Sequence, residues 1–336
     1  MSLADRLDTY QQRHRWAGFP LAVVYKYVDD QGTFLAALLT HYAFVSLFPL
    51  LLLLASILGI ALRGNPELQQ QVLDSTLSQF PIIGETLGKP EQLGARGLGL
   101  AIGLAGALYG GVKVAQALQH VMNTVWAVPR HRRPDPFRSR LRSVLLLVTV
   151  GLSLVVTTVL TGLVASAGAF GSSAGGGTRA AVLAVTVTMN TALFLVGFRL
   201  TTARPLTLSQ IAPGAIAAAV LWQALQALGA AYVGTVVKQA EAANGVFALV
   251  LGLLAWMYLA AVGVVLCAEV NVVRARRLWP RALLTPFTDV VDLTSADKRA
   301  YAQQAVAQQA KGFESVEVTF ADDGQHATAR RKRARR

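Results

Sequence analysis

Residues 34–62 read FLAALLTHYAFVSLFPLLLLLASILGIAL, a run with no Asp, Glu, Lys or Arg in it. A hydrocarbon core about 30 Å thick takes about 20 residues of helix to cross. The run exceeds that length, and it is too long for a buried strand or for the apolar core of a cleavable signal peptide. In lipid the backbone must satisfy its own hydrogen bonds, which a helix does within one segment. The stretch therefore predicts a retained membrane-spanning helix, with Pro49 as a kink because proline removes one donor from the ladder.

Five more runs of this kind follow. With the first they lie at 33–62, 97–126, 143–167, 180–198, 211–237 and 245–268. The ten-residue alternating segments of a membrane β-barrel do not occur. The chain of 336 residues is 54% hydrophobic and 15% charged, whereas soluble domains carry about 25% charged residues. The expected fold is all-α: a polytopic membrane helix bundle with six transmembrane helices and the lipid bilayer as its partner. Three regions follow. Residues 1–32 form a cytoplasmic interfacial amphipathic segment, 33–280 the transmembrane domain, and 281–336 a cytoplasmic tail.

The formal charge of +13 raises the possibility of nucleic acid, but its distribution points to membrane topology. With the N-terminus inside, the segments flanking the membrane on that side hold sixteen Lys and Arg, and the other side holds five. Lys and Arg accumulate in cytoplasmic loops, so both termini are expected in the cytoplasm. No nucleic-acid partner is expected. The single cysteine, Cys267, forms no intrachain disulfide, and no Cys/His spacing resembles a metal site. No cofactor is implied.

The flanks carry their own signals. Leu3, Leu7, Tyr10 and His14 share one helical face, with Trp16 and Phe19 beyond, as in a helix lying in the membrane interface. In the outer loop, Val72, Leu73, Thr76, Leu77 and Phe80 suggest a short amphipathic helix. GSSAGGG at 171–177 reads as a short turn. Thr294 and Asp297 resemble a capping box that opens a polar helix ended by Gly312. Residues 314–320 alternate like a short strand, and the basic end RRKRARR reads as disordered, with anionic lipid head groups as a partner.

Ionisable residues within membrane segments are costly and mark functional sites. Tyr109, Lys113, Gln116, His120 and Asn123 share one helical face of the second run. With Glu269 and Asn271 they form the candidate cavity or ligand site. Two placements stay open for Lys113. It lies within the membrane facing a wet cavity or an anionic ligand, or the membrane ends near residue 112 and Lys113 reaches the cytoplasmic interface. Ser46, Asn190, Gln223, Gln226 and Tyr258 fall near the middle of their runs, as interhelical hydrogen-bonding groups or as the lining of a path. The pairs Gly99/Gly103 and Gly106/Gly110 predict close helix packing. No catalytic residue is assigned.

Several of these residues carry a family likeness. SLFPL at 46–50, Asn123 to Trp126, Pro213 and Gly214 followed by Leu221 and Trp222, and Trp256 and Tyr258 followed by the A-E-x-N of Ala268 to Asn271 resemble the YihY/BrkB family of bacterial inner-membrane proteins. The likeness spans about 15–280, and departs from the family at Asn244 and His41. It implies a six-helix protein of the bacterial plasma membrane, linked to serum resistance and envelope integrity. The family also carries an old ribonuclease label, which the scattered histidines and acids here do not support. The expected function is transport or lipid handling in the envelope through a cytoplasm-facing polar cavity, without enzymatic activity. The alternative is an envelope scaffold, and a membrane-bound ribonuclease is disfavoured.

Overall fold

All six apolar runs are helices in the computed structural model, which describes residues 3–61, 98–169, 176–239, 245–288 and 291–320. In chain order the helices are α1 Leu3–Arg13, α2 Arg15–Asp29, α3 Gly32–Ala61, α4 Leu98–Val125, α5 Pro136–Ala169, α6 Gly176–Thr201, α7 Leu208–Gln239, α8 Gly245–Arg276 and α9 Ser295–Ala307. There is no strand among the described residues. The expectation for the outer loop, most of the glycine turn and the basic end lie outside them.

Among the described residues, five stretches are long and apolar enough to cross a membrane: Gly32–Leu50, Ala101–Val125, Leu183–Thr201, Leu208–Gln226 and Val250–Arg276. The run 143–167 falls within α5, whose side chains are described only as far as residue 152. The outer surface of these helices is apolar, with Leu108, Leu152, Val185, Val220 and Leu259 all exposed. Water-soluble monomers rarely expose a contiguous apolar surface beyond a few hundred Å²; lipid is the solvent that suits this one.

Helices α3 and α4 make the most extensive contact in the bundle. Gly110 makes it possible. A methyl group built on it would lie 2.6 Å from the Cβ and 2.9 Å from the Cα of Ser46, and one on Gly106 would lie 2.8 Å from the Cβ of Pro49. The four-residue glycine spacing thus seats the SLFP segment of α3, which continues through Pro49 without interruption. Gly110→Val is expected to cost about 1–3 kcal/mol through overpacking. Gly151→Ala, where nothing lies within 4 Å of the added carbon, should be neutral or stabilising. Thermal unfolding of the two variants in one detergent tests the contrast; equal midpoints would refute it.

Among the described residues, a buried core lies at the end of the bundle that carries the basic loops. Val121, Met122, Val125 and Trp126 of α4 and the turn after it meet Ile211 and Ala215 of α7, Val265, Ala268 and Val272 of α8, and Ala22 of α2. Helices α4 and α8 stop there in the same way. Val128 N–H donates to the Asn123 carbonyl at 2.8 Å and Leu278 N–H to the Val273 carbonyl at 3.0 Å, and both Val128 and Leu278 are buried. These are Schellman-type ends. The left-handed position is held by Ala127 (φ 46°) and Arg277 (φ 53°) instead of glycine, so no glycine in the sequence announces either stop.

The flanks depart from expectation in two places. Residues 314–320 form no strand; an alternating segment has no ladder unless a second edge is there to pair with it. The polar tail helix ends at Ala307, before Gly312, while its predicted start is present: the Thr294 hydroxyl accepts from Asp297 N–H, and the Asp297 carboxylate accepts from Thr294 N–H.

Candidate functional site

Helix α2 lies against α8 with an apolar inner face that includes Ala22 and Val23. One turn further, the same face carries Lys26 into the protein, where its side chain is 4% exposed. Its ammonium bonds Asp30 four residues on, donates to the Val125 carbonyl at the end of α4 at 3.3 Å, and lies 3.7 Å from Glu269 Oε2. Glu269 is fully buried on the inward face of α8, between Val265 and Val272. On the same face of α8, Tyr258 is partly buried against the core, as is Tyr27 of α2. Two helices and the end of a third therefore converge on one lysine and two acids.

The arithmetic of charge defines what this triad can do. With both acids ionised the group carries one uncompensated negative charge out of water, which is costly. Burial pushes the Asp30 carboxyl up, and the opposing pull of Lys26 does not cancel it. Burial acts against the Lys26 charge, but Glu269 and Asp30 more than offset it, so its proton is held more tightly than usual. As two carboxylates, Asp30 and Glu269 offer each other no donor, and neither Glu269 oxygen then has a hydrogen-bond partner among the described residues. A proton on either acid removes the excess charge. The triad can take up and release a proton.

The residues singled out from the sequence are dispersed. Tyr109 is 67% exposed, and the Lys113 ammonium lies over its ring at 5.4 Å from the centroid, within cation–π range. Gln116 is half-buried and His120 exposed. Only Asn123 of this stripe is buried, and its Oδ1 accepts from Ala203 N–H at 2.8 Å, fixing the turn after α6. The structure sets Glu269 against Lys26, because α2 folds back along α8 and fills that flank. Asn271 has its own task. It accepts from Gly214 N–H at 2.6 Å, at a contact so close that a Cβ on Gly214 would sit 2.1 Å from the Cys267 carbonyl oxygen. The P-G and A-E-x-N motifs are thus two sides of one helix contact.

Of the groups near the middle of their runs, Ser46 donates to the Ala43 carbonyl of its own helix at 2.8 Å. Asn190 and Gln223 are half-buried and Gln226 is exposed. In the sequence Lys26 is one of the sixteen charges on the cytoplasmic side, and the signal that sets it apart is its i, i+4 spacing to Asp30 on a face with apolar neighbours.

A second buried charge cluster ties the tail to the bundle. Arg281 is fully buried; its Nε donates to Asp297 at 2.5 Å and its Nη1 to Asp29 at 2.7 Å. Tyr301 lies over the guanidinium at 5.2 Å from its ring centroid. Asp297 also accepts from Ala282 N–H at 3.0 Å, Tyr25 donates to the Leu283 carbonyl, and Gln304 donates to the Asp29 carbonyl at 2.6 Å. Arg276 adds bonds to Gln303 and to the Trp126 carbonyl. Helix α9 is thereby held against α2 and the segment after α8.

Long apolar helices with an apolar outer surface, and with charged groups buried in pairs at one end, define an α-helical integral membrane protein. The chain belongs to the virulence factor BrkB family, whose family model matches residues 23–286. It is also 27% identical over 151 residues to an uncharacterized protein of Dickeya dadantii. That match covers 42% of this chain and 46% of the relative, so the chain spans about half the length of that protein. No solved structure matches the chain.

Proposed function

We propose that the protein crosses the bacterial plasma membrane six times with both termini in the cytoplasm, and that it transports or handles an envelope lipid in steps tied to protonation of the Lys26–Asp30–Glu269 triad. Glu269 supports this best: it is a fully buried acid within an apolar stretch long enough to span, sharing one lysine with a second acid. Ionisable groups in such segments mark ion paths and proton relays. The sixteen-to-five bias of Lys and Arg supports the orientation, and α5, with its run 143–167, supplies the sixth span. The reading assigns the chain no chemical reaction.

The test uses vesicles of phosphatidylethanolamine and phosphatidylglycerol containing the full chain and a trace of fluorescent phosphatidylglycerol. Transfer between leaflets is followed by dithionite quenching at several pH values. Wild type should move the label with a pH-dependent rate. Glu269→Gln should slow it about tenfold or more, in the range seen when a proton-transferring group is lost, while its thermal midpoint stays close to wild type. Transfer by Glu269→Gln at the wild-type rate and pH dependence, or no transfer by wild type, would overturn the reading.

A further inference from the structure

Between the start of α2 and the segment after α8 lies an open groove of about 400 Å³, lined by Arg15, Trp16, Phe19, Pro20, Arg274 and Trp279. Phe19 and Trp279 meet edge to face at 5.5 Å between ring centroids. Trp16 stands beside them, 69% exposed. Both arginines are exposed, and neither has an ion-pair partner among the described residues. None of the lining residues is acidic, and acids nearby are engaged elsewhere: Asp29 with Arg281, and Asp8 with Gln11, Gln12 and Leu283 N–H. Arg274 lies in the last turn of the apolar stretch Val250–Arg276. The groove therefore opens where that stretch leaves the hydrocarbon.

We propose that this groove binds one anionic phospholipid, its phosphate held by the Arg15 and Arg274 guanidiniums and its glycerol and upper acyl carbons lying on Trp16, Phe19 and Trp279. Guanidinium forks match phosphate oxygens, and tryptophan favours the boundary between head groups and hydrocarbon. The aromatic wall selects a lipid over a soluble phosphate, which would gain nothing from it. The site stands apart from the Lys26–Asp30–Glu269 reading, since it shares no residue with the triad.

The experiment is native mass spectrometry of the full chain released from mixed micelles, titrated with phosphatidylglycerol or with phosphatidylcholine of the same acyl chains. Wild type should retain one phosphatidylglycerol in preference to phosphatidylcholine. Arg15→Gln with Arg274→Gln should cut that preference about thirtyfold, the effect of two surface cations on anionic-lipid binding. Trp16→Ala should weaken retention of both lipids. Arg132→Gln with Arg140→Gln removes the same charge from the loop after α4 and the first turns of α5 and should leave the preference intact. Equal loss in this control would show diffuse charge instead of a site and overturn the proposal. So would unchanged retention in the groove variant, or displacement of the lipid by glycerol phosphate at matched concentration. The groove variant should keep the wild-type thermal midpoint, and retention is read by mass without any leaflet transfer, so failure of this proposal is distinguishable from failure of the triad reading.

Discussion

Lys26→Met is expected to destabilise the detergent-solubilised protein by about 3–5 kcal/mol, the range for removing one partner of a buried ion pair. Methionine fills the space of the lysine stem but leaves Asp30 and Glu269 buried with no cation between them. Asp30→Asn should be far milder, because it leaves one lysine facing one carboxylate. Lys26→Met combined with Glu269→Gln should recover part of the loss. The pH dependence follows from the two groups outside the spans. The folded state holds the Asp30 proton more tightly than the unfolded chain does. Its contribution is thus most favourable below the ordinary carboxyl value of about 3.9 and declines as pH rises through the raised value. Asp30→Asn should remove that decline. The raised value of Lys26 acts at the other end: its stabilisation is complete below about pH 10.4 and is lost as pH rises through the folded value. Thermal unfolding across pH 4 to 9 follows the Asp30 decline, and its extension to about pH 11 and above follows the onset of the Lys26 loss. A Lys26→Met midpoint equal to that of Asp30→Asn would dismiss the triad as an energetic unit.

Arg281→Met should be comparably severe, about 3–5 kcal/mol, but local in its consequence. It strips the cation from Asp29 and Asp297, and with it the link between α2 and the start of α9. The capping box at Thr294 survives, so α9 itself stays helical and detaches as a unit. Limited proteolysis reads this out: cleavage within 283–294 should become rapid while α3 to α8 stay protected. Wild-type protection of that segment in the variant would show that the apolar contacts of Ala296 and Ala300 hold the tail without the arginine.

The sequence conveyed the helices better than their ends. Apolar run length is a local property: α3 begins at Gly32 and α4 ends at Val125, each within a residue of the start of the run 33–62 and the end of the run 97–126. The ends of α4 and α8 are set by buried contacts of Val128 and Leu278, which hold Ala127 and Arg277 in a conformation that favours glycine. Nothing in the letters A-V or R-L announces that. The strand expected at 314–320 failed for a related reason, since alternation describes a face but supplies no partner.

Charges carry less information in the sequence than apolar runs do. Lys26, Arg276 and Arg281 were three of the sixteen that set the orientation, and counting treats them as interchangeable surface groups. In the structure each is engaged indoors: with two acids, with Gln303 and the Trp126 carbonyl, and with Asp29 and Asp297. Pairing over 243 residues between Lys26 and Glu269, or 252 between Arg281 and Asp29, leaves no local trace.

What the sequence determined by itself was the solvent. Long runs without charge can be satisfied only by helices in lipid, and the motifs embedded in them carried the family. What the tertiary structure alone decided was which charges matter. Burial turns an ordinary lysine and two ordinary acids into a group that is one proton short of neutrality when both acids are ionised, and burial depends on how α2 folds back against α8.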